Sequence, residues 1–324
     1  MEERLLGRSD VAITRIILGC GNFGGIGSSP AFFGQGTTRE DAFQLMDTAW
    51  EHGITTFDTA DAYGGGRSEE FIGEWLQTKE SNVRDRIVIA TKTFNPMKDG
   101  ADHGLSRARI RRQIESSLAR LGVERVGLYL AHEFDLETPQ EETLQALGDL
   151  VRAGKVGAIG ASNFSGEQLA EAVELSELEG LPRYEFVQNS FSLLEQSDRN
   201  DVFPVCREHG LGYTPFSPLA GGWLTGKYRR GEPPPPGSRM TLRPEPYTGY
   251  SSDRVFDALE QLESEAAERG VSMAGLALAW LLGLDEITGI VVGPGRADHL
   301  APALEAAAMS MSPDQRNALT EVFA

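Results

Sequence analysis

Four side chains able to carry charge or move a proton, Asp58, Tyr63, Lys92 and His132, stand at matching points of the sequence. Asp58 directly follows the run 54–57, Ile-Thr-Thr-Phe, and Tyr63 comes five residues later in a glycine-bearing turn. Lys92 closes Ile87-Val88-Ile89-Ala90-Thr91-Lys92, and His132 closes Gly127-Leu128-Tyr129-Leu130-Ala131-His132. Each alone has an ordinary reading. Lys92 could be a solvated flank, His132 structural, Asp58 a turn cap, and Tyr63 a packed ring with a wet hydroxyl. Together they suit the reduction of a carbonyl. Hydride transfer to carbon leaves negative charge on oxygen, which must be protonated or stabilised as it forms. A phenol, with a pKa of about 10, is a poor acid unless a cation beside it pulls that value down. Lys92 is the expected cation, Asp58 would hold the ammonium in place, and His132 would hydrogen-bond the substrate oxygen and set its angle.

Such a set can form only if separate strands end at one edge. The run 54–57 is β-branched and aromatic, as strands are. Gly64, Gly65 and Gly66 can take backbone conformations closed to other residues. Ser68-Glu69-Glu70 then reads as a helix start with a hydroxyl cap and early acids. The same alternation runs along the chain. Short apolar runs fall at 15–18, 54–57, 87–91, 127–131, 158–161, 186–190, 212–216 and 289–292. Amphipathic stretches at 39–51, 68–77, 106–121, 139–153 and 166–178 separate them. Strands alternating with helices imply parallel pairing through crossovers. Eight such units predict a single-domain (β/α)8 TIM barrel, whose chemistry sits at the carboxyl ends of its strands. An open doubly wound sheet is the competing architecture. Against it, no GxGxxG turn follows a strand, and Gly19-Cys20-Gly21-Asn22-Phe23-Gly24 does not lead into a helical pattern.

After the last barrel-like runs, helices are expected at 253–268, at 272–282 (buried), at 298–308 around Pro302, and at 313–322. Two loops are long for a minimal barrel. Residues 24–36 are rich in Gly, Ser, Pro and Phe, and 226–250 contain Pro233-Pro234-Pro235-Pro236 followed by Pro244 and Pro246. That density of proline predicts no helix there, and the segment reads either as an exposed connector or as a lid over the barrel mouth.

Composition narrows the partners. The 324 residues carry a formal charge of −18, which argues against nucleic acid or an anionic membrane as partner. Two cysteines, Cys20 and Cys206, suit a reducing compartment. The longest apolar stretch, 273–284, is shorter than the roughly 20 residues a membrane helix needs. Met1-Glu2-Glu3-Arg4 does not open a signal-peptide pattern. A cytoplasmic protein is expected, with no metal; homo-oligomerisation stays open.

The stretch Asp58-Thr59-Ala60-Asp61-Ala62-Tyr63-Gly64 resembles the DTAxxYG signature of the aldo-keto reductases. Gly154-Lys155-Val156-Gly157-Ala158-Ile159-Gly160-Ala161-Ser162-Asn163-Phe164 is similar to that family's GKVRxIGVSNF, and Val187-Gln188-Asn189-Ser190 to its VQxxY/F. Phe216-Ser217-Pro218-Leu219-Ala220-Gly221-Gly222-Trp223-Leu224-Thr225-Gly226-Lys227 is similar to YSPLAxGxLTGK. These motifs occur in order over nearly the whole chain. The resemblance implies a small-molecule carbonyl substrate, Tyr63 as proton donor, and NADPH (NADH possible) bound without a Rossmann domain.

It also implies cofactor contacts. Gly21, Asn22, Phe23 and Asp58 would border the cofactor. Ser162, Asn163 and Gln188 would bind the nicotinamide carboxamide, a planar donor–acceptor group, with Phe216 stacked on the ring. Ser217, Pro218, Leu219 and Gly221 would meet the pyrophosphate. Lys227 matches a lysine near the phosphates, and Ser238-Arg239 resembles a pair that contacts the 2′-phosphate in some members. Loop charge is the plainer reading of Lys227 and Arg239. The last motif, Val291-Val292-Gly293-Pro294-Gly295-Arg296-Ala297-Asp298-His299-Leu300, aligns with the segment that grips the adenosine end. Gly293 fits it, Gly295 and His299 depart from the usual residues, and Arg296 is the candidate charge. Three functions compete: an NAD(P)H-dependent carbonyl reductase, a cofactor-sensing subunit like the potassium-channel β subunits, and an unrelated barrel isomerase or lyase. Channel subunits typically carry Asn at the position of His132, which favours the enzyme. Phe32, Phe33, Phe94, Phe134 and Tyr247 in the mouth loops predict apolar or ring-bearing substrates, unless they serve packing alone.

Overall fold

Residues 1–324 are described by a computed structural model. Its strands are β1 (Glu3–Leu5), β2 (Ala12–Thr14), β3 (Ile16–Gly19), β4 (Thr56–Asp58), β5 (Val88–Thr93), β6 (Val126–Ala131), β7 (Val156–Ser162), β8 (Phe186–Gln188), β9 (Gly212–Tyr213) and β10 (Ile290–Val292). The helices are α1 (Arg39–Glu51), α2 (Arg67–Gln77), α3 (Ser81–Arg84), α4 (Arg107–Leu121), α5 (Gln140–Arg152) and α6 (Gly166–Glu179). They continue with α7 (Val202–His209), α8 (Arg239–Leu242), α9 (Asp253–Arg269), α10 (Met273–Leu282), α11 (Ala301–Ala307) and α12 (Pro313–Val322). Each expected run overlaps one strand.

Eight of these strands pair in parallel in the order β10-β3-β4-β5-β6-β7-β8-β9. The sheet then meets its own edge. Thr288 N donates to Tyr213 O at 2.9 Å and Val291 N to Pro215 O at 2.9 Å, joining β9 to β10. The architecture is a (β/α)8 barrel.

Local chemistry starts and stops the helices that wrap it. Thr38 accepts from Asp41 N to cap α1, whose buried Ala42, Leu45, Met46 and Ala49 lie on one helical face. Ser165 and Gln168 form a capping box on α6. Gly122 ends α4 at φ 65°, the left-handed conformation glycine adopts without a Cβ clash.

Strand side chains alternate, which splits the core into two layers. Ile17, Ala90, Leu128, Leu130, Ala158, Phe186 and Val291 fill the barrel interior. Phe57, Ile89, Tyr129, Ile159 and Val187 face the helices in the larger outer core. The inward position 160 is a glycine because a Cβ there would stand 2.4 Å from the Phe186 ring. The β1–β2 hairpin has no counterpart in the strand expectations. Its Leu6 and Ile13 join the inner cluster, closing the amino end of the barrel, and apolar runs this short carry little periodicity to announce them.

The expectation that 226–250 holds no helix is corrected. A single turn, α8, forms after the proline run, and a 3-10 turn spans Glu245–Tyr250. Pro246 sits in the first turn of the latter, where the missing N–H costs nothing.

Candidate active site

The alternation that fills the barrel also sets the chemistry of its rim. Continuing the inward positions of each strand by two residues leads from Ala90 to Lys92, from Leu130 to His132, from Gly160 to Ser162 and from Phe186 to Gln188. Asp58 occupies the inward end of β4, paired in register with Gly19 and Ala90. The topmost layer of the barrel is therefore polar, above apolar layers.

Lys92 is fully buried and donates to Asp58 Oδ1 at 2.7 Å and to Thr59 O at 2.8 Å. Its Nζ lies 3.4 Å from the Tyr63 hydroxyl. Asp58 Oδ2 accepts from Gln188 Nε2 at 2.9 Å, which ties β4 to β8 across the barrel. The His132 ring meets the Tyr63 ring edge-on, with centroids 5.5 Å apart. All four predicted residues thus converge.

Their electrostatics differ in one respect from expectation. Burial lowers the Lys92 pKa, but Asp58 and Tyr63 outweigh it, and the ammonium titrates above its usual range. For Tyr63, burial raises the phenol and Lys92 offsets only part of that; the net shift is upward, not downward. Desolvation of a phenolate costs more here than one already paired cation returns. Burial, and then the charge of Lys92, hold His132 well below its ordinary value, so the imidazole is neutral. Its Nδ1 faces Asn95 Nδ2 at 3.4 Å; with that amide as donor, the ring proton sits on Nε2.

The turn carrying Tyr63 is built by three consecutive left-handed glycines, with φ of 59°, 72° and 102° at Gly64, Gly65 and Gly66. The expected hydroxyl cap is corrected. Gly66 is the N-cap of α2 with no side-chain bond, and the fully buried Ser68 instead donates to Cys20 O at 2.9 Å. Glu69 is likewise buried, accepting from Thr91 Oγ1 and pairing with Arg120 at 2.7 Å. Behind β5, Arg109 donates to Thr93 Oγ1 at 2.6 Å, Gly104 O at 3.1 Å and Asn95 O at 2.7 Å, so it grips both ends of the loop 95–104. Asp61, fully buried between them, is pushed up to about 7 by burial and by Glu69.

Beside the four lie the residues expected to meet a cofactor. Asn163, left-handed at φ 60°, donates to His132 O at 2.9 Å and to Ser162 Oγ at 3.2 Å. Phe216 extends β9 through a bridge to Ser190 and packs on the inner cluster. Ser217, Ala220, Gly221 and Gly222 all have left-handed φ, in a tight turn where Ala220 N and Gly222 N donate to Ser217 O and Leu219 O at 2.8 Å. Pro218 and Leu219 lie within that turn. Lys227 lies over Gly222, with Nζ 5.5 Å from the Tyr228 ring, and burial lowers its pKa with Arg239 adding to the effect. Arg239 reaches the loop after β3 and donates to Asn22 Oδ1. Gly21 abuts the Tyr63 ring and Phe23 is fully buried. Gly293 adjoins Gly19 beyond β10. Arg296 and His299 stand apart: Arg296 is 71% exposed and bonded to Asp298 at 2.6 Å, and Gly295 N donates to His299 Nδ1 at 3.3 Å.

Several contributors carried no sequence signal. Thr59 acts through its carbonyl, and Asn95 through a loop whose path the sequence does not give. Asn189 was visible only as part of a motif; it donates to Phe164 O at 2.8 Å and to Asp198 at 2.9 Å. Glu133, half-buried, accepts from Asn163 Nδ2 at 3.3 Å. The mouth aromatics are all partly exposed. Phe134 also packs edge-on against Phe164, and Phe94 against His103.

The model of the Aldo/keto reductase family matches residues 15–324. The chain is 34% identical to an uncharacterized oxidoreductase of Bacillus subtilis (YrpG), over 100% of this chain and 96% of the relative. It is 30% identical to the versiconal hemiacetal acetate reductase of Aspergillus parasiticus, covering 100% and 97% respectively. Identity is 33% to the L-glyceraldehyde 3-phosphate reductase of Escherichia coli, over 94% and 87%.

Proposed function

The chain belongs to the aldo/keto reductase family, and from that premise we propose that it reduces an aldehyde or ketone to the alcohol, with Tyr63 as proton donor. The single observation that carries this reading is the buried Lys92 ammonium, bonded to Asp58 at 2.7 Å and 3.4 Å from the Tyr63 hydroxyl. A nicotinamide cofactor, the kind this family uses, supplies the hydride when bound. The donor set fits one: the Asn163 and Gln188 amides and the Ser162 hydroxyl border the site, and the left-handed turn 217–222 suits a pyrophosphate.

The side chains divide the remaining work. Tyr63 gives its proton to the substrate oxygen as negative charge builds there. Lys92 stabilises the phenolate left behind, which is worth more in a buried site than in water. Asp58 and Thr59 O fix the ammonium so that no reorientation is needed. Neutral His132 offers Nε2–H to the same oxygen and sets its angle. The high Tyr63 pKa suits a donor that must stay protonated until charge develops beside it.

We propose NADPH over NADH, on the strength of Arg239 beside Asn22 and Lys227 beside Gly222, two cations with no acidic partner. The test is Tyr63→Phe. Loss of the general acid should lower kcat by about 10²–10⁴-fold, while the thermal shift produced by NADPH is retained. Full turnover by this variant would exclude the phenol as donor. A cofactor-sensing subunit with little turnover is the second reading; the neutral imidazole at His132 favours the enzyme.

A further inference from the structure

The mouth of the barrel is electrically lopsided. On the side of residues 226–250, Lys227 and Arg239 face no carboxylate, and Arg243 lies 5.8 Å from the Phe32 ring centroid. The adjacent Arg229 and Arg230 are drawn away by acids of α9, Glu263 and Asp257 among them. On the opposite side, the loop 133–138 carries Glu133, Asp135 and Glu137 and no basic residue. Two of those acids have plain structural settings. Asp135 caps the loop, accepting from Leu105 N at 2.7 Å and Glu137 N at 2.9 Å, and Glu137 is exposed.

Glu133 is different. It directly follows His132 and is half-buried. Its one hydrogen bond is the 3.3 Å contact from Asn163 Nδ2, an amide that also holds His132 O. Burial with no cation beside it pushes its carboxyl up to about 7, so that it is ionised at pH 8. Its charge adds only the smallest of the influences that raise the Tyr63 phenol, after burial and Asp58. An unpaired carboxylate held in a partly desolvated rim is costly to bury and acts strongly on any charge brought near it.

We propose that Glu133 is a specificity-determining residue that excludes carbonyl substrates bearing a carboxylate or phosphate near the reacting group, and so selects neutral or cationic ones. This rests on the carbonyl-reductase reading above and names the substrate class for that same site. The basic half of the mouth is then reserved for the cofactor's phosphates, and the acidic half keeps a substrate anion from competing for them.

The test uses a matched pair at pH 8, 4-formylbenzoate and its neutral methyl ester, with 4-(trimethylammonio)benzaldehyde as the cationic probe. Wild-type kcat/KM should favour the ester over the carboxylate. Glu133→Gln, which keeps an acceptor for Asn163, should shrink that ratio by about tenfold. The cationic probe should lose kcat/KM in the variant. Comparing ratios between wild type and variant cancels the intrinsic reactivity of the aldehydes. A ratio that Glu133→Gln leaves unchanged would overturn the proposal. Fluorescence titration of the same pair onto the NADP complex reads the discrimination without turnover. Discriminating binding with no reduction of either aldehyde would count against the reductase reading alone; binding without discrimination overturns the role of Glu133.

Discussion

At the scale of single residues, the site turns on how a buried ammonium is kept charged. Burial by itself works against Lys92, and the Asp58 carboxylate at 2.7 Å is the first of the contacts that reverse it. Removing that partner has a signed consequence. In Asp58→Asn the Lys92 pKa falls, so the alkaline limb of the kcat/KM–pH profile moves to lower pH, by a unit or more on the order of magnitude of a lost close ion pair. An alkaline limb that stays where it is in the variant would show that Asp58 does not set the charge of Lys92. Tyr63 makes the complementary point. A lysine near a phenol suggests a lowered pKa, yet the phenol is raised, because desolvation acts on the whole ring oxygen and the ammonium is already shared with Asp58 and Thr59 O.

At the scale of elements, the strand that carries Lys92 is gripped from behind by charge. Thr91 and Thr93 face outward and bond Glu69 and Asp61, while Arg120 and Arg109 come from α4 to meet the same two acids and the loop 95–104. Asp61 is the strained member. Its folded value of about 7 lies above the roughly 3.9 of an unfolded aspartate. The folded state therefore binds more protons between those values. The stability it contributes is present below about 4 and is lost as pH rises through 7. Asp61→Asn keeps an acceptor for Thr93 and should flatten that decline, read as a smaller difference between urea midpoints at pH 5 and pH 8 than in the wild type. An equal difference would mean the carboxyl does not titrate in that window. The sequence presents Glu69 as a surface acid at a helix start. Its burial becomes evident only when α2, α4 and β5 are packed together, because the arginine that neutralises it is 51 residues away.

At the scale of the whole molecule, closing the sheet brings the ends of the chain's motifs into one rim. Residues 226–250 lie across that rim through Arg239 and Asn22, 217 residues apart in sequence. On the NADPH reading, Arg239→Ala should weaken NADPH by roughly tenfold or more while changing NADH little, since one charge-assisted contact to a phosphate is lost. Equal loss for both cofactors, measured by titration, would assign Arg239 to loop packing instead. No helix is long and apolar enough to cross a membrane. The sequence by itself determined the eight strands, five of the helices between them (though not α7) and the four residues at their ends, because periodicity and strand-end position are local properties of a chain. Burial, proton occupancy and charge asymmetry at the mouth were decided only by the tertiary structure. Glu133, Asn95 and the inward hydroxyl of Ser68 owe their roles to neighbours that strand order and barrel closure bring beside them, and no local pattern records those distances.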